Sequence, residues 1–116
     1  MLLNLSNHPS NRWTDHQQRI ARQTYGSIED LPFPRIPAEA DEAELEQLVE
    51  TYYRQVTACQ PTAVHLMGEM TFTYGLVNRL RADGIPVVAS TTERIVEERD
   101  GKKIVQFNFI RFRAYR

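Results

Sequence analysis

Ala63-Val64-His65-Leu66-Met67-Gly68 is a compact, mainly apolar run closed by a glycine. A run this short, apolar on both faces, fits a strand buried in a parallel sheet with helices above and below it. The flanks agree. Upstream, Asp41 followed by Glu44 marks a helix start, and Leu45, Leu48, Val49, Tyr52 and Val56 then recur at helical spacing until Pro61 closes the connection. Downstream, Thr71 is placed to cap a third helix in which Phe72, Leu76 and Leu80 line one face. Gly84 ends that helix, and Ile85-Pro86-Val87-Val88-Ala89 reads as a fourth strand.

Toward the amino terminus the alternation continues. Leu2 to Ser6 reads as the first strand and Asn7-His8-Pro9-Ser10-Asn11 as a polar turn. Thr14 and Gln17 have the spacing of a capping box, so helix one starts near Asp15 and stops at Gly26. Ser27 to Leu31 leads into a second short strand before the rigid Pro32-Phe33-Pro34. The resulting βαβαβαβ order predicts one Rossmann-like, three-layer α/β domain over residues 1–116 with a mainly parallel sheet. The tail differs. Glu93 to Arg99 and Lys102 to Arg113 are strand-like, and Asp100-Gly101 suits a tight type I′ turn, so a C-terminal β-hairpin finishes the fold. Phe107, Phe109 and Phe112 give that hairpin more apolar surface than covering one sheet edge requires, which points to a homodimer.

Composition narrows the partners. The 116 residues are 41% hydrophobic and 25% charged, ordinary values for a globular protein, and no apolar run approaches the roughly 20 residues of a membrane helix. Met1 to Leu5 lacks the basic flank and length of a signal peptide. Cys59 is the single cysteine, so an intrachain disulfide is excluded, structural zinc is disfavoured and a reducing cytoplasm fits. A net charge of −1 argues against a protein that coats long nucleic acids, because such binding depends on many cationic contacts to phosphate; a short nucleotide ligand stays open.

In open parallel sheets ligands settle beyond the carboxyl ends of the strands. That rule selects Ser6-Asn7-His8-Pro9-Ser10, Gly68-Glu69-Met70-Thr71-Phe72-Thr73 and Ser90-Thr91-Thr92-Glu93-Arg94. Hydroxyls and backbone amides there suit phosphate oxygens, Arg94 offers a planar fork to a phosphate, and His8 is a residue type suited to proton exchange. Each residue also has a plainer reading. Asn7, Ser10 and Thr71 are common turn and cap residues, Glu69 suits a helix start, and Glu93 with Arg94 could form a surface ion pair. His65 within an apolar strand reads as a satisfied core histidine, His16 as a helix-surface residue and Trp13 as a packing residue before helix one. No phosphate loop, dinucleotide fingerprint, nucleophile elbow or clustered metal ligands occur, which disfavours metal-dependent hydrolysis and dinucleotide redox chemistry.

The opening Leu2-Leu3-Asn4-Leu5-Ser6-Asn7-His8-Pro9, the Met67-Gly68-Glu69 strand end, and Ser90-Thr91-Thr92-Glu93-Arg94 running into a hairpin that ends Phe109-Ile110-Arg111-Phe112-Arg113 resemble small CRISPR-associated proteins of the Rossmann-fold sensor type. Several such families are ring nucleases of type III CRISPR systems. The resemblance implies a cytoplasmic homodimer that cleaves cyclic oligoadenylate, cyclic tetra-adenylate first, by 2′-hydroxyl attack with neither metal nor cofactor. It gives Arg94 the charge-stabilising role, His8 proton transfer and Glu69 the part of a base or adenine contact. Ser6, Asn7, Ser10, Gly68, Thr71, Thr91 and Thr92 would hold phosphates or riboses. A non-catalytic sensor or sponge for the same ligand, and an interaction protein that docks through its hairpin, are the rival readings.

Overall fold

A computed structural model describes residues 1–116. Strand β1 spans Leu2–Ser6, helix α1 Asp15–Tyr25, β2 Ile28–Asp30, α2 Glu42–Ala58, β3 Ala63–Met67, α3 Met70–Ala82, β4 Val87–Arg99 and β5 Lys102–Ala114, with a single 3-10 turn at Ser10–Arg12. The sheet order is β2-β1-β3-β4-β5. The first four strands run parallel and β5 returns antiparallel to β4, a mixed and mostly parallel sheet compatible with a Rossmann-like fold. The α/β class, the parallel sheet and the terminal hairpin therefore match what the sequence pattern predicts. No helix is long and apolar enough to cross a membrane.

Strand alternation distributes the side chains. Leu3, Leu5, Val64 and Leu66 project to one face, where Val56 of α2 and Phe72 and Leu76 of α3 bury them. Leu2, Ala63 and Val88 project to the other, beneath Trp13 and Ala21. Each fully buried large aliphatic side chain contributes about 1.5–3 kcal/mol, so the α2 and α3 layer carries most of the stability.

Two local expectations are corrected. The amino end of α3 is capped by Glu69 rather than Thr71, because the Glu69 carboxylate accepts from the Thr71 and Phe72 amides. The segment Ser90–Arg94 is not a loop after a fourth strand. It lies inside β4, whose ladder with β5 begins at Val88 opposite Ala114 and runs without interruption of pairing to Arg99 opposite Lys102, apart from one bulge. The stretch holds no glycine, proline, asparagine or aspartate until Asp100, so nothing in it breaks an extended chain.

That long strand makes the hairpin project. The radius of gyration is 15.8 Å, against about 13 Å for a compact chain of this length, and the longest dimension is 52 Å. Asp100 and Gly101 both have positive φ, 52° and 74°, as a type I′ turn requires. The bulge at Thr91/Thr92 matters for function. It pairs Ser90 with Phe112 but Thr92 with Phe109, and so returns Phe109 and Phe112 to one face with ring centroids 4.8 Å apart.

Candidate functional site

The face of the sheet that meets α1 holds a row of polar groups where an apolar core would be expected. Asn4 of β1 is paired directly with His65 of β3. Both are 2% exposed, and Ser6 is 7% exposed, so each must find its partners within the protein. Asn4 Nδ2 donates to Asp30 Oδ1 and to the His8 carbonyl, both at 2.8 Å, which orients its amide. Asn4 Oδ1 then accepts from Ser6 Oγ at 2.8 Å and from His65 Nδ1 at 2.9 Å. With the proton on Nδ1, His65 Nε2 keeps a free lone pair, and Ser90 Oγ of β4 lies 3.2 Å from it.

The imidazole is enclosed by rings as well. Trp13 meets it edge-on at 5.1 Å and Phe112 at 5.6 Å. Burial pushes the His65 pKa down to about 4, and the nearby His8 adds to the effect, so the ring is neutral at pH 7.

The segment after β1 is pinned by its backbone. The His8 carbonyl accepts from Asn4 Nδ2, from Trp13 Nε1 at 3.2 Å, and lies 3.1 Å from Ser6 Oγ. The His8 side chain is left exposed at the wall of a cleft of about 630 Å³, within the size range of small-molecule sites. Ser6, Asn7 and Arg12 line it from the segment after β1, Gly68 from the end of β3, Ser90 and Thr92 from β4. Trp13, Phe107 and Phe109 supply aromatic walls.

Of the residues singled out in the sequence, Ser6, Asn7, His8, Gly68 and Thr92 meet in this cleft. Gly68 is there for a steric reason: a Cβ would come 2.2 Å from the Phe33 ring. Arg94 lies on the same hairpin face as Thr92, two positions farther along β4, and is paired with the cleft-wall residue Phe107 without itself lining the cleft. Four others point elsewhere. Thr91 faces the opposite side of β4 by strand alternation, and its hydroxyl donates to the Arg111 carbonyl. Ser10 is tied to Asp30 through its amide and hydroxyl, at 3.1 and 2.8 Å. Glu69 and Thr71 bind each other at the start of α3 and border a separate groove beside Asp41 and Leu45. The Thr71 hydroxyl and amide lower the Glu69 pKa, so that carboxylate acts as an ionised helix cap.

Sequence reasoning missed Arg12, Ser90 and the part played by His65. Arg12 sits two residues beyond the Ser6–Ser10 segment that the strand-end rule selects, and Ser90 opens the segment chosen after the fourth strand, so Ser90 carried a usable signal and Arg12 fell just outside it. His65 is indeed buried and satisfied, as read; its Nε2 nevertheless lies 3.2 Å from Ser90 Oγ, and both residues line the cleft. No group of three or more histidine, cysteine or carboxylate side chains converges to hold a metal ion.

The chain belongs to the Uncharacterized protein MJ1673 family, which matches it over residues 1–113. No curated protein and no solved structure matches it.

Proposed function

We propose that this chain is a ring nuclease that opens cyclic oligoadenylate, cyclic tetra-adenylate first, and so switches off type III CRISPR signalling in the cytoplasm. One observation carries the reading: the cleft beyond the carboxyl ends of β1 and β3, flanked by the β4–β5 hairpin, combines His8, Arg12 and hydroxyls with the aromatic walls Trp13, Phe107 and Phe109. Aromatic walls stack bases, the guanidinium and hydroxyls bind phosphate, and histidine transfers protons. Each ribose 2′-hydroxyl already lies beside its own phosphodiester. The protein's task is to align that hydroxyl with phosphorus and the leaving oxygen and to stabilise the charge that develops.

In this reading Arg12 neutralises the phosphate within the cleft, and Arg94 reaches for the ring from the outer part of the hairpin. Ser6, Asn7 and Thr92 hold phosphate or ribose oxygens. A second cleft of about 320 Å³ shares Met67 and Gly68 with the first and exposes Met70 and Tyr74, surfaces suited to an adenine. A homodimer completes the proposal. Phe107, Val96 and Val105 lie on one hairpin face and are 61%, 47% and 43% exposed, so pairing two copies there would bury apolar surface and offer a symmetric ring two clefts.

The test is incubation of purified protein with cyclic tetra-adenylate and cyclic hexa-adenylate in excess chelator, beside His8→Ala and Arg12→Ala variants. Conversion to short linear products ending in a 2′,3′-cyclic phosphate, lost on either substitution, is the expected result. Tight binding without conversion would make the protein a sensor or sponge for the messenger. Absence of both would overturn the nucleotide reading and leave the projecting hairpin as a docking arm for a protein partner.

A further inference from the structure

We infer that Ser90 and His65 form the proton-accepting arm of this cleft: the Ser90 hydroxyl takes the proton of a ligand's ribose 2′-hydroxyl while passing its own to His65 Nε2. The inference rests on the nuclease reading above and adds its base. Ser90 lines the cleft and is half-buried, so its oxygen is open to a ligand on one side and to the imidazole on the other. Its single proton has two acceptors in reach, His65 Nε2 and Met67 Sδ, both at 3.2 Å. An imidazole nitrogen is the stronger acceptor, a thioether sulfur a weak one.

The direction of transfer follows from Asn4. Its amide is oriented by Asp30 and the His8 carbonyl, so its oxygen accepts the Nδ1 proton and fixes the tautomer with Nε2 bare. Burial keeps that ring neutral, so Nε2 is unprotonated at pH 7, though a weaker base than a free imidazole. The step balances. The 2′-oxygen to phosphorus bond forms and the bond from phosphorus to the 5′-oxygen breaks. The 2′-hydroxyl proton goes to Ser90 Oγ, the Ser90 proton goes to His65 Nε2, and the departing 5′-oxygen takes a proton from His8. Solvent then resets both histidines.

The titratable and charged groups around the arm are few. His8 and Arg12 line the same cleft, Asp30 touches Asn4 from β2, and His16 of α1 stacks on Phe109 at 5.7 Å. The other packed neighbours are Gln17, Trp13 and Phe112, which carry no charge.

The experiment measures turnover of cyclic tetra-adenylate by wild type, Ser90→Ala and Ser90→Thr across pH 3.5–8. ¹⁵N-histidine NMR of the free wild-type protein runs alongside. Expected are a bare Nε2 on His65, a kcat lowered about a hundredfold in Ser90→Ala with KM little changed, and partial recovery in Ser90→Thr. Wild-type kcat should fall as pH drops through about 4, where His65 takes a proton, and that acid limb should vanish in Ser90→Ala. Wild-type turnover with Ser90→Ala equally fast, or a proton found on Nε2, overturns the arm and leaves the nuclease reading standing. A wild-type protein that cleaves nothing overturns both.

Discussion

The two faces of β1 and β3 are buried alike and built for different ends. Leu3, Leu5, Val64 and Leu66 are 0–1% exposed against α2 and α3, while Asn4, Ser6 and His65, one residue out of phase, are 2–7% exposed on the α1 side. The apolar face gains free energy from every group removed from water, with little demand on direction. On the polar face desolvation is a cost, offset only while each donor and acceptor meets its partner, and its return is orientation. Equal burial therefore does not mean equal contribution to stability. One face holds the sheet together, and the other fixes where a proton sits.

The largest effect that would sharpen this contrast is truncation on the apolar side. Phe72 is fully buried, with edge contacts to Phe33 and Tyr52, and Phe72→Ala should cost about 3–5 kcal/mol in urea unfolding. A loss below about 1 kcal/mol would break the assignment of stability to that layer.

Next comes the pH response of the polar face. His65 titrates at about 4 when folded and at 6.5 when free, so the unfolded chain binds the proton more readily. Its contribution is fully present above pH 6.5 and is lost as pH falls toward 4, about 3 kcal/mol in total. His65→Gln should flatten the stability curve over that window by a comparable amount, measured by urea unfolding at several pH values. Parallel curves for the two proteins would show that the imidazole is not held neutral.

Asn4→Ala should cost about 1–3 kcal/mol, because it strands His65 Nδ1 and frees the Ser6 hydroxyl and Asp30. Its imidazole NMR signals should shift toward mixed tautomers. The smallest effect belongs to the hairpin: Phe107 is 61% exposed, so Phe107→Ser should change monomer stability by less than about 0.5 kcal/mol. Sedimentation velocity over a concentration series would show whether it weakens self-association. An unchanged profile would remove that face from the proposed dimer.

Much of the fold was readable because its signals are short-ranged. Asp41 and Thr14 cap α2 and α1 by bonds to amides three residues on, and Asp100-Gly101 turns the hairpin with its own backbone preferences. Where two local signals competed, the reading slipped. Thr71 and Glu69 both suit a helix start, and the carboxylate wins because it reaches two amides at once. The site was legible as a place more than as a set of residues. The strand-end rule found the walls of the cleft, yet it grouped Thr91 with Thr92, although adjacent residues on a strand face opposite sides.

Alternation of apolar and polar residues, cap spacing and turn chemistry act between near neighbours, and from them the α/β class, the helix starts and the hairpin could be read directly. Which polar groups meet is a matter of register. Asn4 and His65 stand 61 positions apart and become partners only because β1 and β3 pair as they do. Phe112 joins Phe109 on one face only because a bulge shifts the phase of β5. Those meetings are fixed by long-range packing, in which the burial of one face of a strand decides the company kept by the other.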